Sequence, residues 1–120
     1  MRFSKSHEWV LEEGQLATVG ITSFAQKELG QVVFIQLPSI GTVARAGEET
    51  CVLESTKAAA DVYSPVSGKI VAVNEEAAKD PSLLNQSPES KGWLFKIALS
   101  HPNELNQLLT AAEYQKLLNA

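Results

Sequence analysis

The stretch ESTKAAADVYSP, residues 54–65, decides how this chain is read. It sets one lysine, Lys57, among small residues (Ser55, Thr56, Ala58, Ala59 and Ala60) and between two strand-like segments, Glu49–Ser55 and Ala60–Tyr63. Joined by a tight turn, those strands place Lys57 at the tip of a hairpin. Gly47 lies ten residues before the lysine and Gly68 eleven after, a weak symmetry about the turn. A free lysine has a pKa near roughly 10.4, so it is protonated at neutral pH and, taken alone, is an ordinary solubilising charge. The small neighbours add something else: they leave room for a second protein to close over the turn and work on the amine.

Moving outward, the first hundred residues read as short strands punctuated by turns. Glu8–Leu11 and Ala17–Ile21 flank Glu13-Gly14, a hairpin pattern. Ser23–Leu29 is the one early helix, with Ser23 and Gln26 at capping-box spacing and Gly30 placed to end it. Val32–Leu37 is rich in β-branched and aromatic residues and stops at Pro38. Lys69–Val73 and Trp93–Leu99 are strand-like as well. Asp80-Pro81 can open a short helical turn. The tail changes period: Leu105, Leu108 and Leu109, then Tyr114, Leu117 and Leu118, recur at helical spacing, with Thr110 and Glu113 at capping-box spacing. The expectation is a mainly β fold in one domain over 1–120, with a C-terminal helical segment over 102–118 laid against it. The tail leucines read as packing residues.

Composition narrows the function. The 120 residues carry ten basic and fourteen acidic side chains, a net charge of -4. That balance gives no basic stripe for nucleic acid and no attraction to an anionic membrane. No apolar run approaches the length of a membrane span, and MRFSKSHEWV lacks the apolar centre of a signal peptide. Cys51 is the only cysteine and reads as a small core residue. With His7 and His101 it lacks the spacing of a zinc site. Phosphate loops, nucleophile elbows and metal-ligand clusters are missing, so a self-sufficient catalyst is not expected.

The wider segment VLESTKAAADVYSPVSGKIVAVNE, residues 52–75, resembles the lipoyl-attachment segment of the glycine cleavage system H proteins. The resemblance extends in order through SHEWV (6–10), VGIT (19–22), AQKELGQVVFIQLPSIG (25–41), ESKGWLFKI (89–97) and PNELNQLLTAAEYQKLL (102–118). Other carriers differ at the turn: lipoyl domains of 2-oxo acid dehydrogenases typically read Asp-Lys-Ala there, and biotinyl domains Met-Lys-Met. Thr56 stands where the family usually has valine and Ala60 where serine is frequent.

The resemblance implies a barrel-sandwich hybrid, a small β sandwich with the modified lysine on a β turn and helices at its side. It implies lipoate in amide linkage on Lys57, with Glu54 as a flanking recognition residue. Glu8 and Asp61 match polar positions of the cleft that receives the loaded arm. From the residues alone, Glu8 is equally a solvated strand residue and Asp61 a cap of the turn. The implied role is a monomeric carrier rather than an enzyme. The partners implied are a pyridoxal-phosphate glycine decarboxylase, a tetrahydrofolate-dependent aminomethyltransferase, dihydrolipoamide dehydrogenase and a lipoate-attaching enzyme. The alternative is an H-like protein acting mainly as lipoyl donor to other enzymes. The expected location is the cytoplasm, or an organelle for a mature eukaryotic form.

Overall fold

A computed structural model describes residues 1–120. Nine strands, all paired antiparallel, form two sheets: β1 (Arg2–Phe3), β2 (Glu8–Glu13), β3 (Leu16–Ile21), β4 (Val32–Gln36), β5 (Val43–Ala44), β6 (Glu49–Ser55), β7 (Ala59–Tyr63), β8 (Gly68–Val73) and β9 (Phe95–Leu99). One sheet has the order β1-β2-β3-β9-β8-β5, and the other, β4-β6-β7, contains the lysine hairpin. The architecture is therefore the mainly β sandwich that the sequence led us to expect.

The sheets face each other across one core. Within β6 and β7 the inward positions Cys51, Leu53 and Val62 are buried while Glu54, Ala59, Asp61 and Tyr63 face outward. This is the two-residue alternation of a half-buried strand. Opposite them stand Val19, Ile70, Phe95 and Ile97 of the larger sheet, all in the same buried cluster. Full burial of one such aliphatic side chain contributes about 1.5–3 kcal/mol, so the hairpin is anchored by its inner face. Its outer face and tip are left for other uses.

Helices fill the margins. Helix α1 (Ser23–Leu29) ends at Gly30, whose N–H makes the last helical hydrogen bond, to the carbonyl of Gln26, and whose φ of 90° turns the chain away. Its cap corrects the sequence reading. Thr22, not Ser23, is the N-cap, with its hydroxyl accepting from the N–H of Ala25. Ser23 lies one residue too far into the helix to take that part. Helix α2 (Glu75–Lys79), capped by the buried Asn74, was not foreseen. Helix α3 (Ser82–Gln86) follows Asp80-Pro81, and Asp80 accepts from both the N–H and the hydroxyl of Ser82.

The tail departs from a pair of α-helices. Pro102–Gln107 is a 3₁₀ helix, and only Ala111–Leu118 (α4) is α-helical. Between them the chain extends, and Leu109 exchanges backbone hydrogen bonds with Phe3 at 2.9 and 2.8 Å. This pairing with the N-terminal strand overrides the helical spacing of Leu108 and Leu109. The capping box of α4 forms as expected, with Thr110 and Glu113 satisfying each other's backbone N–H. Tyr114 of α4 stacks on Phe3 with ring centroids 4.6 Å apart, within a second small cluster that includes Trp9.

Candidate functional site

Lys57 is exposed at the tip joining β6 to β7. Ser55 shapes that tip. Its backbone N–H donates to the carbonyl of Ala58 at 2.8 Å. Its hydroxyl accepts from the N–H groups of Lys57 at 3.2 Å and Ala58 at 3.0 Å. A short side-chain hydroxyl at the first turn position can close a turn in this way without a glycine. Thr56 then donates its N–H to the carbonyl of Gln31 at 3.1 Å, tying the tip to the segment after α1. The lysine is thus mounted on a backbone held from two sides. Its Nζ takes part in no hydrogen bond or ion pair; the only hydrogen bond of Lys57 outside the strand ladder is through its backbone.

Glu54 sits one residue before Ser55, exposed, paired across the hairpin with Ala59 and on its other side with Phe34. Asp61 is exposed on β7 opposite Val52. Glu54 and Phe34 are exposed beside the tip and Asp61 farther along β7, and within residues 31–66 Lys57 and Arg45 are the only cations. Asp61 does not cap the turn; that work falls to Ser55.

Glu8 lies elsewhere. It is 2% exposed, at the start of β2. One carboxylate oxygen accepts from the hydroxyls of Ser4 and Ser6, and the other from the backbone N–H of Tyr63 at 3.2 Å. Burial pushes its carboxyl above the ordinary value of 4.5; the Ser4 and Ser6 hydroxyls, the Tyr63 N–H and the His7 charge pull it back. A solvated strand residue is therefore excluded for Glu8. The four steps of β7 from Ala59 to Tyr63 separate it from the lysine tip by about 13 Å. The structure does not bring Glu8 against Lys57. It places the two at opposite ends of one strand.

Helix α1 spans the same interval from the other side. Its N-cap Thr22 receives the segment of His7 through its N–H, donated to the carbonyl of His7 at 3.0 Å. Its C-terminal Gly30 lies against the Lys57 side chain. The hydroxyl of Tyr114 lies 2.7 Å from Oγ1 of Thr22 and 2.8 Å from Nδ1 of His7, which fixes α4 to the Glu8 end. His7 has a φ of 72°, the one non-glycine residue in the left-handed region. Sequence reading missed Ser4, Ser6, Gly30, Gln31, Thr22 and Tyr114 here. Ser55 and Gly30 carried local signals, a hydroxyl inside a turn and a glycine placed to end a helix, but not their part in holding the lysine.

Two other features limit the chemistry. Cys51 is buried, and burial pushes its thiol up to about 12, so it is a core residue rather than a nucleophile. No three His, Cys, Asp or Glu side chains are grouped as metal ligands, and no helix is long and apolar enough to cross a membrane.

Comparison with known proteins identifies the family. The family model described as "Glycine cleavage H-protein" matches residues 1–120. A glycine cleavage system H protein from Carboxydothermus hydrogenoformans is 48% identical over 118 residues, covering 98% of this chain and 91% of that protein. One from Thermotoga maritima is 50% identical over 115 residues, covering 96% and 93%. The crystal structure of a glycine cleavage system H protein from Mycobacterium marinum superposes with a TM-score of 0.89 at 37% identity, covering 98% of this chain and 95% of that one. This chain belongs to the glycine cleavage H-protein family.

Proposed function

We propose that this protein is the lipoyl carrier of a glycine cleavage system, with lipoate bound as an amide on Lys57. The observation that carries the reading is the unpaired Nζ of an exposed lysine, mounted on a turn that Ser55 and Gln31 hold. The residues fit the group. Ala58 and Ala59 are small and exposed, so an attaching enzyme can enclose the tip, and no ion pair has to be broken to acylate the amine. When bound, the dithiolane supplies a disulfide that takes up the aminomethyl unit of glycine as it is reduced.

The chain's own residues then bind and orient. The rigid tip anchors the arm, which reaches successive active sites at high effective concentration. Glu54 and Asp61 give the surface about the lysine its acidic character, which suits partners with a basic entrance. Glu8 serves as the acceptor for an ammonium group brought back along β7, the pairing that a buried carboxylate favours. Its partners are the pyridoxal-phosphate glycine decarboxylase, the tetrahydrofolate-dependent aminomethyltransferase, dihydrolipoamide dehydrogenase and a lipoate-attaching enzyme. All of 1–120 acts as one carrier domain, with 102–118 bracing the Glu8 end. It performs no turnover of its own.

The test is exchange of labelled bicarbonate into the carboxyl carbon of glycine by the decarboxylase. Lipoylated wild-type chain should support exchange and the unlipoylated chain should not. Equal exchange with and without the lipoyl group would overturn the reading, and so would none with either.

A further inference from the structure

The contact between Gly30 and Lys57 assigns a role to a residue with no reactive side chain. A Cβ built on Gly30 would meet Cε of Lys57 at 2.8 Å, Cγ at 3.6 Å and Cδ at 3.7 Å. The lysine stem therefore lies along the bare Cα face of Gly30, where α1 ends. Thr56, the residue before Lys57, is held by the carbonyl of Gln31, the residue after Gly30, at 3.1 Å. Two successive residues of the hairpin tip thus register against two successive residues of one segment.

We propose that Gly30 is a positioning residue: it forms a seat for the stem of Lys57 and sets the direction in which an arm attached there leaves the protein. This rests on the carrier reading above and adds the element that aims the arm. The chemistry of the contact supports the role. An ion pair to Nζ would have to be broken for acylation, because amide formation removes the charge. A seat made of methylene contacts is indifferent to that change, so it directs the lysine before attachment and the arm after it. Gly30 is also the end of α1 that faces the tip, and the other end is Thr22, hydrogen-bonded to His7 next to Glu8. Seven helical residues span about 10 Å, so the seat at Gly30 lies about one short helix length from the Glu8 end.

Glycine is required at this position on two counts, and the test must separate them. The φ of 90° strains any other residue, and an added Cβ displaces the stem. Because the crowded atom is the far end of a flexible side chain, the Cβ should move the lysine and leave the core intact. Gly47 supplies the control. Its φ is 86°, but a Cβ there meets nothing within 4 Å. Gly47→Ala thus imposes left-handed strain without touching Lys57.

The experiment uses the full chain in three forms: wild type, Gly30→Ala and Gly47→Ala. First, nuclear Overhauser contacts between the α-protons of Gly30 and the Lys57 methylenes are recorded on unmodified wild-type protein. They should be present, and their absence would refute the seat whether or not any variant folds. Second, each form is treated with lipoate ligase, ATP and lipoate, and methylene relaxation at position 57 is compared with that of the exposed Lys5. The ordering of the Lys57 stem should be lost to the level of Lys5 in Gly30→Ala and retained in Gly47→Ala. Third, kcat/KM for ligation should fall in Gly30→Ala alone. Equal ordering and equal kcat/KM in all three forms would overturn the proposal. Failure of wild type to gain lipoyl mass would instead refute the carrier reading, and the first measurement would still decide the seat.

Discussion

Oε2 of Glu8 accepts a hydrogen bond from the backbone N–H of Tyr63 at 3.2 Å, so a carboxylate of the six-stranded sheet closes the end of β7 farthest from Lys57. With Ser4 and Ser6 on the other oxygen, the carboxylate is buried and hydrogen-bonded through both oxygens, with one acceptor site still free. No buried side-chain polar atom of the protein lacks a partner.

Glu8 should make stability depend on pH in a sense opposite to most carboxylates. Its folded-state pKa is raised above 4.5, chiefly by burial. The protonated form therefore favours the folded state. The resulting stabilisation is fully present below the unfolded pKa and is lost as pH rises through the folded one. In Glu8→Gln this term is absent. Thermal unfolding of both proteins across the acidic range should show wild type losing stability relative to the variant as pH rises above 4.5. A difference that moved the other way would contradict the assigned environment.

Glu8→Ala asks a different question. It leaves two hydroxyls and the Tyr63 N–H without their acceptor, at a cost of about 1–3 kcal/mol. Chemical denaturation should place it below Glu8→Gln, whose single amide oxygen still accepts from part of that set. Equal stability of the two variants would mean that those hydrogen bonds contribute nothing.

Tyr114→Phe keeps the stacking on Phe3 but removes the hydroxyl shared by Thr22 and His7. Denaturant unfolding should show a loss of about 1–2 kcal/mol, the range for a buried neutral hydrogen bond and its orphaned partner. A variant as stable as wild type would show that stacking alone fixes α4.

Ser55→Ala removes the acceptor of two backbone N–H groups at the lysine turn while burying or exposing little surface. Global stability should fall by about 0.5–1.5 kcal/mol. Amide exchange at Lys57 and Ala58 should accelerate by more than that global loss explains, because the turn opens locally. Exchange that merely tracks global unfolding would show that the ladder, not the hydroxyl, holds the tip.

Most of the sandwich was legible because its strands announce themselves by alternation and by turn residues. The β6–β7 hairpin and the end of α1 at Gly30 are cases in point. What escaped was set by distant contacts. Arg2–Phe3 and Val43–Ala44 are too short to show any period, and they exist as strands only through pairing with β2 and β8. Leu109 follows a helical spacing but bonds to Phe3, a partner more than a hundred residues away. Helix α2 did carry a local mark, Asn74 before Glu75 and Glu76, an N-cap with acidic residues in the first turn. At the site, Lys57 and its small neighbours could be picked out from sequence. The burial of Glu8, its serine partners and the Gly30 seat could not, since each depends on elements brought together only by the fold.

Lipoylation of Lys57 is the step on which every later role of the carrier depends. Intact-mass measurement after incubation with lipoate ligase, ATP and lipoate tests it most directly. Wild-type protein should gain the mass of one lipoyl group and Lys57→Ala none. A wild type that gains no lipoyl mass, or a Lys57→Ala variant that gains the same mass, would contradict it.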